Sequence, residues 1–129
     1  FRKWLVDNDV SCVCAHNTSF DFCRTCVGEC VENMEFFDIM FAFYDTIAQT
    51  KRYREFCAEN GYYTPSKNCR MTAEICYRFV SGDNSFIEEH TALADTEIEA
   101  EILRAVWATH KGFTRNAHKG DFRKLQVRI

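Results

Sequence analysis

Chain breakers are scarce: one proline and five glycines in 129 residues leave few places where a helix must stop. No apolar run reaches the length of a membrane span, so no transmembrane segment is expected. Catalytic signatures are missing as well. The sequence holds no His-Glu-x-x-His, no Gly-x-Ser-x-Gly elbow, no Gly-rich phosphate loop and no dinucleotide fingerprint. His16, His90, His110 and His118 stand in no metal-ligand spacing, and His90 reads as an ordinary surface partner of Glu89 or Asp95. The expectation is therefore a protein that is not an enzyme, with no cofactor and no metal. A net charge of −3 gives no ground for a nucleic-acid partner.

What is abundant is cysteine. All eight cysteines, Cys12, Cys14, Cys23, Cys26, Cys30, Cys57, Cys69 and Cys76, fall in the first two thirds of the chain. That density and the even count predict four structural disulfides made in an oxidising compartment, hence a secreted or extracellular protein. Eight cysteines allow 105 pairings, and spacing does not choose among them. A zinc site from Cys12-x-Cys14 and Cys23-x2-Cys26 is the rival reading, but it crowds Cys30 and strands Cys57, Cys69 and Cys76. The abrupt Phe1-Arg2-Lys3 opening fits a processed chain. Asn17-Thr18-Ser19 is an N-glycosylation sequon, and Thr18 with Asp21 also resembles a helix capping box.

Hydrophobic residues at 47% and twelve phenylalanines exclude disorder and suit one domain over residues 1–129. Patterning predicts a mainly all-α, disulfide-stapled domain. Residues 1–16 read as an extended arm or small hairpin. From about Ser19 a helix is expected to run into the segment 31–59, with Gly28 and Asn33 as weak points where it bends or restarts, Lys51, Arg52 and Arg54 in its last turns and Gly61 closing it. Three further helices are expected: Cys69 to Val80, Ser85 to Leu93 behind a Ser85/Glu88 box, and Thr96 to Lys111 behind a Thr96/Glu99 box. The last buries Ile98, Ile102, Leu103, Val106 and Trp107 on one face, and Trp107 is expected in the core. The basic tail, residues 113–129, alternates apolar residues with Arg123, Lys124 and Arg128. It is expected to pack on the acidic stretch 83–101, with its extended end pairing with the N-terminal segment.

Two functional surfaces suggest themselves. Tyr62 and Tyr63 on a stapled loop, with Arg123, Lys124 and Arg128, form a candidate partner surface. Phe36, Phe37, Phe41, Phe43 and Tyr44 are candidates for lining an apolar ligand cavity. The Cys26-x3-Cys30 spacing and the later Cys57, Cys69 and Cys76 resemble insect odorant-binding proteins and their salivary relatives. The Cys30–Cys57 interval is shorter than in that family, and Cys12 and Cys14 are additional. The resemblance implies a carrier of a lipid or other small apolar ligand. His16 and Asp21 lack the adjacent His-Asp pair and calcium loop of a secreted phospholipase. Rigid stapling and excess aromatics favour, ahead of carriage, a non-catalytic protein that binds another protein: a host factor, a receptor or an inhibited enzyme. Self-association is compatible with either.

Overall fold

A computed structural model describes residues 1–24 and 34–112, without the side chains of residues 22–24. The elements run α1 (Arg2–Asp7), β1 (Cys12–Ala15), α2 (Thr18–Arg24), β2 (Glu35–Asp38), α3 (Ile39–Phe43), a π-helical turn (Tyr44–Ala48), α4 (Lys51–Asn60), α5 (Ala73–Ser81) and α6 (Ala92–Trp107). The domain is mainly α-helical, with one small open sheet. No helix among the described residues is long and apolar enough to cross a membrane.

The N-terminal segment is not wholly extended. Residues 2–7 coil into α1, with Leu5 buried and Lys3 paired to Asp7 one turn on. β1 is extended as expected, but its partner is β2, in parallel, with Cys12 opposite Glu35 and Cys14 opposite Phe37. The expected C-terminal partner, residues 113–129, lies outside the described residues.

The single helix expected up to residue 59 is divided, and the sequence carries the reasons. Asp38 is buried, and its Oδ1 accepts the Phe41 amide at 3.2 Å, capping α3. Its Oδ2 accepts the Thr18 amide and hydroxyl, each at 2.9 Å. One carboxylate thus ties the β1–α2 turn to the start of α3 through both the amide and the hydroxyl of Thr18. Thr50 caps α4 through the Tyr53 amide at 3.2 Å. Lys51, Arg52 and Arg54 consequently sit in the first turns of α4, not its last. There Lys51 pairs with Glu55 at 3.3 Å and Arg52 lies 5.4 Å from the Phe79 ring centre.

Gly61 ends α4 with φ +71°, as its position predicted. The 62–70 loop folds back, with Tyr63 bridged to Cys69, so α5 starts only after its cap Thr72. The Ser85/Glu88 box does not form. Asp83 Oδ1 accepts the Ser85 amide at 2.9 Å in a local turn, and residues 82–91 form a loop. α6 starts earlier than the Thr96 box implied: Thr91 is its cap, and the Thr96 hydroxyl donates to Ala92 O at 2.7 Å inside the helix.

The core gathers Phe37, Phe41, Phe43, Tyr53, Cys57 and Cys76 with Ile102 and Val106 of α6. Helix α6 buries Ile98, Ile102 and Val106, every fourth residue. Trp107 is one step further round the helix, so it is 56% exposed and touches the core only at its edge, 5.7 Å from the Phe37 ring centre. That corrects its expected core placement. Helix α6 packs on α5 and on α3, which sets its N-terminal half beside the β1–α2 turn and the segment before α5.

Candidate functional site

That meeting point forms an open cleft of about 640 Å³, whose walls include His16, Met71, Glu88, Asp95 and Glu99. Its size suits a small group or side chain. His16 Nε2 donates to Met71 O at 2.7 Å. Burial pulls the imidazole below its ordinary value, so it is neutral at pH 7, with the proton on Nε2. Its Nδ1 lone pair is sealed from solvent and has no hydrogen-bond partner. Asp95 Oδ1 is likewise buried and unpartnered.

The carboxylates crowd one another. Glu99 is pushed up to about 7, by burial first and then by Asp21, Asp95 and Glu88, against the opposing pull of a hydrogen bond from the His16 amide. Burial and Asp95 likewise raise Glu88. Among the described residues lining the cleft, Arg70 is the only lysine or arginine. The crowded carboxylates and the two orphaned polar atoms thus share one concavity.

The loop between α5 and α6 closes one side. Arg78 braces it: Nε donates to Phe86 O at 2.8 Å, one guanidinium nitrogen donates to the Tyr62 hydroxyl at 2.7 Å, and the other pairs with Glu74 at 2.9 Å. Glu74 in turn accepts the Glu88 amide at 2.9 Å. Phe86 packs against Tyr77 with the rings tilted at 57° and their centres 4.5 Å apart. Between these two held residues Ile87 projects outward, 74% exposed. Where the loop meets α6, one donor atom from each of Glu88, His90 and Asp95 lies within 4.8 Å of the others. His90 has φ +55°, a conformation that a residue with a Cβ rarely holds.

The residues singled out from sequence divide unevenly. Tyr62 and Tyr63 are half-buried. Tyr62 serves the loop brace through Arg78, while Tyr63 carries Lys67 over its ring at 4.3 Å. Arg123, Lys124 and Arg128 lie outside the described residues. Phe37, Phe41 and Phe43 are core, with Phe36 and Tyr44 half-buried, so these five do not line the cleft. Asn17 is half-buried at the cleft edge, with φ +70°.

Cys12, Cys14, Cys57, Cys69 and Cys76 are free thiols in the structure, and no disulfide joins any of them. The side chains of Cys23, Cys26 and Cys30 lie outside the described set. Cys57 is pushed up to about 12, by burial first and then by the neighbouring Cys69. Burial also raises Cys76. Protonated, buried thiols of this kind are poor nucleophiles and poor metal ligands.

Sequence reasoning missed the cleft. Its residues come from four separated segments, and the local trace, Glu88-x-His90-x4-Asp95, fits no familiar motif. No protein-family model, curated protein or solved structure matches the chain.

Proposed function

We propose that this chain is a secreted, non-catalytic domain that binds another protein, and that the α5–α6 loop with the cleft behind it is the binding face. The observation that carries this reading is the braced loop. Phe86 O and the Glu88 amide are held from inside by the Arg78–Glu74 pair, while Ile87 between them is 74% exposed. A loop fixed on both sides of an exposed apolar side chain loses little conformational entropy when that side chain enters a partner's pocket. Leu93, 72% exposed, adds apolar surface at the start of α6. The cysteine count supports secretion. The carrier reading draws less support, because the aromatics proposed to line its cavity are largely spent on core packing.

The test is capture from the protein's natural fluid with the full chain and with Ile87→Glu. A single partner held by the wild type and lost by the variant, at unchanged melting temperature, supports the loop as the binding face. Equal capture by both would move the site elsewhere. An apolar adduct in the intact native mass, with no protein captured, would replace this reading with carriage.

A further inference from the structure

From the geometry at the start of α6 we infer that Glu88, His90 and Asp95 form a binding site for a divalent transition-metal ion of the zinc class. One donor atom from each lies within 4.8 Å of the others. A tetrahedral ion with bonds of about 2.0–2.2 Å needs its ligands about 3.3–3.6 Å apart, so small side-chain rotations close the set. His90 Nδ1 and Glu88 Oε2 are already 3.6 Å apart. An imidazole with two carboxylates suits zinc, manganese or cobalt better than calcium or magnesium, which favour all-oxygen shells.

Two further observations point to a ligand. Asp95 Oδ1 is buried without any partner, a costly state for a carboxylate oxygen unless something positive belongs beside it. In the wall of the same cleft, outside the three-donor set, His16 Nδ1 is also sealed and unpartnered. The support behind the ligands is also built: the Glu74 carboxylate holds the Glu88 amide, and Arg78 holds Glu74. With three protein ligands the ion keeps an open position. Because Glu88 and His90 belong to the loop that carries Ile87, an oxygen ligand from a partner docked there would complete the shell. The site itself stands whether or not the protein-binding reading does.

The test is titration of the chelator-treated full chain, under reducing conditions, with cobalt(II), followed by visible absorption. The expected result is one cobalt per chain, tetrahedral bands without thiolate charge transfer, and displacement by zinc. His90→Asn keeps a residue that tolerates the left-handed backbone, and Asp95→Asn removes the orphaned carboxylate. Each should weaken cobalt binding by more than about tenfold, while the metal-free variants melt as the wild type does. Absence of binding, a thiolate band, or undiminished binding by both variants would overturn the site. None of these outcomes bears on capture by the Ile87 loop, so the two readings fail separately.

Discussion

Around Tyr53, rings and thiols close on one another. Phe43 and Phe79 meet it edge-on with ring centres 5.0 Å away, and its hydroxyl donates to Arg70 O at 2.5 Å. Around Asp95, carboxylates gather in a cleft and two buried polar atoms find no partner. The first region is built as a core should be, with apolar surface removed from water and its one hydroxyl satisfied. The second gives up stability for a concave, charged surface. That division is the usual mark of a scaffold and the site it carries.

The contrast is broken most severely from the core side. Phe43→Ala, at a fully buried position, should cost about 3–5 kcal/mol in denaturant unfolding. Next in size is the thiol pair. If the protein is oxidised, peptide mapping should find Cys57 joined to Cys69, the neighbouring thiol that raises it. Reduction should then lower stability by about 2–4 kcal/mol. A map joining Cys57 to another residue would sink that pairing. Trp107→Ala tests the boundary between the regions: with the ring half in solvent, the loss should be about 1 kcal/mol, well short of a core aromatic.

The smallest effect sharpens the cleft side. Glu99 sits near 7 in the folded chain against an ordinary 4.5, so folding holds a proton that the unfolded chain releases. Its contribution to stability therefore falls as pH rises from about 4.5 to 7 and is level above that. In metal-free protein, Glu99→Gln should raise the melting temperature at pH 8 and leave it nearly unchanged near pH 4.5. His16 acts with the opposite sign, since its value is lowered from 6.5 on folding and stability falls as pH drops below that. An equal gain for Glu99→Gln at both pH values would mean that Glu99 is not crowded.

Local signals served well where one residue decides the outcome. Gly61 ended its helix, and the helical character of the chain follows from its patterning and its few breakers. The failures share a cause. Asp38, Thr50 and Thr91 cap helices that looked continuous or later-starting from hydrophobic spacing alone, because an apolar stripe does not reveal where a polar side chain turns back on the backbone. Thr96 and Ser85 offered box sequences but bonded elsewhere. Trp107 was misplaced because burial on α6 follows every fourth residue, which leaves its neighbour at the edge. The cleft was illegible for a different reason: His16 and Glu99 are separated by most of the described chain and meet only through folding.

The π-helical turn at Tyr44–Ala48 fits one residue more into its loop of chain than an α-turn would. Thr46 is buried there, its hydroxyl donating to Ala42 O at 2.7 Å. The extra residue sets the phase of the end of this helical stretch against α3, before the extended backbone of Thr50 breaks the path to α4. Each residue advances an α-helix by about 100°, so a chain shortened by one residue here would be free to run as plain α-helix but would deliver its last turn out of step. Ile47 and Ala48, now buried, would swing from the interior toward water. At this point the fold is specified by a count of residues as much as by their chemistry.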